Sequence, residues 1–183
     1  MTAGARPGLI DLYKDFKDRV QFVSVYVREA HPGENYPHHI SFGQKMRHAR
    51  DWVEQDKIPW TVAVDMLDGA THRAYGPLPN IVYLIDRTGH LSFRALWAGQ
   101  EGLLRDKLGE LLKREAAGED PVSLGQQENL LIPLLHGAVE FDHALARGGP
   151  KAVEDFRREM GSLMYSLERL LSRLQPVVHP SSG

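Results

Sequence analysis

Apolar positions along this chain shift between helical and alternating spacing, and the shifts mark out its elements. Leu9, Leu12, Tyr13, Phe16 and Val20 recur at helical spacing, which predicts an amphipathic helix over 9–20. FVSVYV, over 22–27, is short, apolar and rich in β-branched and aromatic residues, so it reads as a buried strand. A polar, His-rich loop follows over 28–39. Ser41 with Gln44 fits a helix-capping box, and Phe42, Met46, Ala49 and Val53 continue as one helical face to about Lys57. A second buried strand is predicted over 60–64. A short helix or turn over 66–75 is broken by Gly76-Pro77-Leu78-Pro79. The next strand, 81–85, runs into the tight turn Asp86-Arg87-Thr88-Gly89. Leu91, Phe93, Ala95 and Trp97 should face inward on the returning strand. Leu104, Leu108, Leu111 and Leu112 mark a helix to about Glu115. Strands that each follow a helix imply a parallel α/β core, and the hairpin adds an antiparallel edge.

The rest of the chain is patterned differently. A linker is expected over 117–128. Beyond it Leu131, Leu134, Ala138, Phe141 and Leu145 alternate spacings of three and four. Gly148-Gly149-Pro150 breaks the pattern, with Pro150 suited to a first helical turn. Val153, Phe156, Met160, Leu163, Leu167, Leu170 and Leu174 then form a heptad stripe. Residues 129–175 therefore read as an α-helical hairpin whose stripes must bury against each other, the preceding domain, or a second copy in a homodimer. A disordered tail is expected over 176–183.

Composition narrows the function. The 183 residues carry a net charge of −2 without a basic block, so nucleic acid is not expected as a partner. No apolar run approaches the roughly 18 residues of a membrane span, and MTAGARPG lacks a signal-peptide core. The expected location is cytoplasmic, with no membrane partner. The chain has no cysteine, which excludes disulfides, thiolate metal sites and a cysteine nucleophile within it. It also has no phosphate-binding loop, dinucleotide fingerprint or Gly-x-Ser-x-Gly elbow. No cofactor is expected.

Candidate chemistry begins with His31. It follows the strand over 22–27 at its carboxyl end, where ligand sites of open α/β sheets cluster, and imidazole exchanges protons near neutral pH. Glu29 could orient His31 or bind a substrate amine or phenol. His38, His39 and His48 invite a metal reading, but His39 and His48 stand nine residues apart across a helix start, which is no recognised ligand spacing. They read as a polar loop. His136, Glu140 and His143 share one helix face and could hold zinc, yet that face lies opposite the apolar stripe and should meet solvent. Asp65 and Asp68 follow a strand and suit turn or cap roles. No metal site is expected.

Val25-Tyr26-Val27-Arg28-Glu29-Ala30-His31-Pro32 resembles the strand–Tyr-x-x-Glu-Ala-His signature of the iodothyronine deiodinases and their bacterial redoxin relatives. Tyr75-Gly76-Pro77-Leu78-Pro79 resembles the Leu-Pro segment of that family. The resemblance spans about 9–115 and implies a thioredoxin-like fold over 1–116. It implies catalytic roles for His31 and Glu29, a cis peptide at Pro79 on the pocket wall, and backbone contacts to substrate from Leu78. It also implies a Cys or selenocysteine nucleophile behind a central strand lying between the strands at 22–27 and 81–85. Counted back from Tyr13 and His31, the nucleophile falls at or just before Met1. The expectation is thus a thioredoxin-like domain incomplete at its N-terminus, whether from a truncated gene model or in a redox-dead relative. Its function would be that of a deiodinase-like redoxin oxidoreductase acting on a small-molecule, peroxide or thiol–disulfide substrate, inactive without the nucleophile. The alternative is a non-catalytic binding or scaffold module of the same fold that dimerises through its C-terminal helices.

Overall fold

The computed structural model describes residues 2–76, 80–127 and 138–161. Strand β1 (Val23–Tyr26) pairs in parallel with β2 (Thr61–Val64), from Val23 opposite Thr61 to Tyr26 opposite Val64. The connection between them carries helix α2 (Phe42–Asp56), the crossover that a parallel pair requires. Ser41 caps α2: its Oγ accepts the Gln44 amide at 3.2 Å. The Gln44 side chain reaches back to the amide of Ile40, one residue ahead of the cap. A separate sheet is formed by β3 (Val82–Ile85), antiparallel β4 (Leu91–Ala95) and the two-residue β5 (Gln126–Gln127), which runs parallel to β4. Helices α1 (Thr2–Phe16), α3 (Ala70–Tyr75), α4 (Glu101–Ala116), α5 (Ala138–Gly148) and α6 (150–161) complete the described chain. The architecture is mixed α/β, as the alternation of periods predicts. Among the described residues no strand of one sheet pairs with a strand of the other.

The core sits where α1 and α4 cover the β3–β4 sheet. Leu12 and Phe16 from α1, Phe93 and Ala95 from β4, and Leu104 and Leu108 from α4 form one buried cluster. The one-turn spacings on each helix turn these residues to the same face, and each large apolar side chain contributes roughly 1.5–3 kcal/mol by leaving water. Around β1, the rings of Tyr13, Phe22 and Trp60 pack together, and Trp60 Nε1 donates to Ser24 Oγ at 2.8 Å.

Three differences from the sequence reading have local causes. Helix α1 starts at Thr2 rather than 9 and stops at Phe16; Val20 closes a turn instead, its amide donating to the Phe16 carbonyl. Leu91 is exposed while Ser92 is buried. The ladder register shifts between Leu84 and Ile85, and the Leu124 amide donates to the Ser92 carbonyl at 2.6 Å, so the 120s line the edge of β4 beside Ser92. Within the stretch expected as linker, Leu124 packs on the core and β5 extends the sheet.

Helices α5 and α6 dock onto their own chain. Asn35 donates its amide to the Gly148 carbonyl and its side chain to the Arg147 carbonyl, and Glu34 accepts the Lys151 amide at 3.0 Å. Arg147 and Arg6 both contact the buried Asp56 carboxylate, at 2.9 and 3.0 Å, which ties α5 and α1 to the end of α2. Phe141 and Phe156 stack edge to face at 4.9 Å. Gly149 makes the corner between the helices at φ +97°, a conformation that L residues rarely adopt. Of the expected C-terminal stripes, Leu131, Leu134, Leu163, Leu167, Leu170 and Leu174 lie outside the described residues, as does the expected tail.

Candidate functional site

A cleft of about 670 Å³ separates the two sheets. β1 forms one side and β3 the other, with α1 and α4 contributing Leu9, Leu12, Leu104 and Leu108. Among the described residues β1 is hydrogen-bonded along one edge, to β2. Val23 and Val25 stay 54% and 42% exposed, unusual for valines of a parallel strand. The cleft is apolar along the strands and polar at their end, where Tyr26, Glu29, His31 and His48 line it.

Glu29 meets Tyr26, His39 and His48 rather than His31. It lies three residues past the end of β1, and the Tyr26 hydroxyl donates to its Oε1. His39, in the loop before α2, and His48, in the second turn of α2, bring ring nitrogens to the same oxygen: His39 Nε2 at 3.6 Å and His48 Nδ1 at 3.5 Å. The two nitrogens are 3.2 Å apart. Tyr36 stacks edge to face on His48 at 5.0 Å, while Tyr26 packs against His39 and Trp52. Burial raises the pKa of Glu29 against the opposing pull of the Tyr26 hydroxyl and His48. Burial, with His48 and Lys45 adding to it, pushes His39 down to about 4. Burial beside the Glu29 carboxylate raises the Tyr26 phenol.

His31 turns the other way. Its Nδ1 lies 3.2 Å from Oδ2 of Asp155 on α6, and its ring meets Phe156 edge to face at 5.2 Å. The other carboxylate oxygen of Asp155 is taken by Arg158. Among the described residues, His31 Nε2 is buried without a hydrogen-bond partner. A carboxylate on one ring nitrogen fixes the tautomer and leaves the other nitrogen as a base, an arrangement that suits proton transfer.

Leu78 and Pro79, expected on the pocket wall, lie outside the described residues, as does His136. His38 and His143 are exposed. Asp65 caps α3, accepting the amides of Thr71 at 3.0 Å and His72 at 3.1 Å. Burial disfavours its charge, but these hydrogen bonds outweigh that cost and hold its pKa below the ordinary carboxylate value. The sequence reading missed Asp155, which carries no local signal, and Tyr26, whose place at the strand end three residues before Glu29 was such a signal.

Among the described residues no helix is long and apolar enough to cross a membrane. Comparison with protein-family models, with curated proteins and with solved structures yields no match. Fold and site together define a mixed α/β protein with a cleft between its sheets and ionisable groups gathered where β1 ends.

Proposed function

We propose that this chain is the substrate-side part of a deiodinase-like redoxin of thioredoxin fold, with the α5–α6 pair as its C-terminal helical hairpin. The observation that supports this reading is the cleft between β1 and β3. It lies where the fold would seat its central strand, and apolar residues of both neighbouring strands line it. A strand added there, parallel to β1, would satisfy the open backbone edge of β1. It would also end beside His31 and Glu29, at the end of the sheet where such folds do their chemistry. A thiol or selenol at that end would pass its proton to His31 Nε2. The resulting thiolate or selenolate would attack a disulfide sulfur or peroxide oxygen, the S–S or O–O bond breaking as the new bond forms, and His31 would hand the same proton to the leaving thiolate or alkoxide. Asp155 positions the imidazole.

The test is the in-frame nucleotide sequence upstream of the Met1 codon, followed by expression of the extended chain. The upstream frame should encode a β-branched strand ending in Cys or a TGA codon. With an added small-molecule dithiol as reductant, the longer protein should reduce a peroxide or disulfide, with kcat falling about 100-fold or more in His31→Ala, the scale of a lost general acid. An upstream frame with neither strand nor nucleophile overturns the reading.

A further inference from the structure

We infer that Glu29, His39 and His48 form a binding site for a divalent transition-metal ion, Zn²⁺ being the best fit. This inference is independent of the redoxin reading. It rests on a triangle of donor atoms: Glu29 Oε1, His39 Nε2 and His48 Nδ1, with sides of 3.2, 3.5 and 3.6 Å. Ligand atoms at zinc distances of 2.0–2.2 Å and tetrahedral angles stand roughly 3.3–3.6 Å apart. The triangle therefore matches one face of a zinc tetrahedron. An octahedral ion of similar bond length would need about 3.0 Å between adjacent ligands, shorter than any of the three sides. Two imidazoles and one carboxylate also exclude the hard ions: Mg²⁺ and Ca²⁺ take oxygen ligands, whereas imidazole suits zinc and its neighbours.

The surroundings are those of a held site rather than a chance meeting of surface side chains. The side chains of Glu29, His39 and His48 are 20%, 6% and 9% exposed. They come from three separate places: the β1 exit, the loop before α2, and α2 itself. The Tyr26 hydroxyl holds the ligating oxygen of Glu29, the outer-shell contact that fixes a metal-bound carboxylate. Tyr26 and Tyr36 pack on the two imidazoles and set their ring planes. The Lys45 ammonium donates to the Met66 carbonyl at 3.2 Å. Three protein ligands leave a fourth position, and Glu29 and His48 both line the cleft. A water or a small anionic or carbonyl ligand entering through the cleft would complete the tetrahedron, as at zinc sites that keep an open position.

The full chain, stripped with chelator, is titrated with Zn²⁺ against a chromogenic competitor and with Co²⁺ in the visible range. We expect one saturable equivalent of Zn²⁺ and the intense visible bands of four-coordinate Co²⁺. His39→Ala, His48→Ala and Glu29→Gln should each weaken binding more than about 100-fold, beyond the 10–100-fold cost of losing an outer-shell partner, which is what Tyr26→Phe should show. The exposed His38→Ala should bind as wild type. Because the chain has no cysteine, His48→Cys introduces its sole thiol. A thiolate-to-Co²⁺ charge-transfer band in that variant would report direct coordination, which a purely structural role for His48 cannot produce. No stoichiometric uptake by the wild-type chain overturns the inference. So do a six-coordinate Co²⁺ spectrum and a His38→Ala loss equal to that of the three ligand variants.

Discussion

His31 Nδ1 lies 3.2 Å from Oδ2 of Asp155, a residue 124 positions further along the chain. The contact joins the exit of β1 to α6, and among the described residues His31 Nε2 is buried without a hydrogen-bond partner. In long-range ¹H–¹⁵N spectra His31 should appear as the Nδ1–H tautomer. Asp155→Ala should shift it toward Nε2–H, the form an unpartnered imidazole favours. Identical nitrogen shifts in both proteins would remove Asp155 as its orienting group.

Gly33 sets how closely the 31–36 loop meets the α5–α6 corner. A methyl added there would overlap the Gly148 carbonyl oxygen and come within 2.9 Å of the Ala152 Cβ. Backbone cannot yield as a flexible side chain can, so Gly33→Ala should cost about 1–3 kcal/mol. Urea unfolding would show the loss, and faster amide exchange at Asn35 would place it at this contact. Unchanged stability would mean that the corner shifts without cost.

Asp65 predicts an acid-side loss of stability. Its folded pKa is below the ordinary 3.8 because it accepts amide hydrogens at the start of α3, despite burial. The unfolded chain therefore binds the proton more readily. The stabilisation is complete above about pH 4 and is lost as pH falls through the lowered folded value. Asp65→Ala should cost about 1–3 kcal/mol at pH 7 and less at pH 3, where the wild-type carboxylate is already being protonated. Thermal melts at the two pH values decide it; an equal cost at both would assign the effect to packing.

The open edge of β1 predicts association. An apolar strand with an unpaired edge is a template for pairing with another chain, and a lysine there opposes it. Concentrated wild-type chain should show self-association by sedimentation. Val23→Lys, at a residue already 54% exposed, should increase the monomer fraction while changing stability by only about 0.5 kcal/mol. An unchanged mass distribution would place any association elsewhere.

Much of the fold was legible in residue patterns. FVSVYV and TVAV read as strands because β-branched runs suit a pleated backbone, and they form β1 and β2; the expected burial does not hold, since both strands alternate exposed and half-buried residues. Ser41 with Gln44 located the start of α2 because a cap is made by residues three apart. Leu91 failed as an inward residue because a register shift, which no alternation records, lies opposite it. The site was half legible. Glu29 and His31 stand out at a strand end, but their partners could not be read there. Each is claimed by residues from elsewhere, Glu29 by His39 and His48, His31 by Asp155.

The sequence by itself determined most of the helices and strands and their order, the α/β class, and the absence of a cysteine from the chain. These follow from local periodicity and composition, which act over a few residues. Only the tertiary structure decided that His39 and His48, nine residues apart across the α2 cap, meet over Glu29 in a triangle of zinc dimensions. It alone decided that the two sheets stand apart with a cleft between them. The physical reason is the same in both cases. Distances between side chains on different elements depend on how the elements pack, and packing is a property of the whole core.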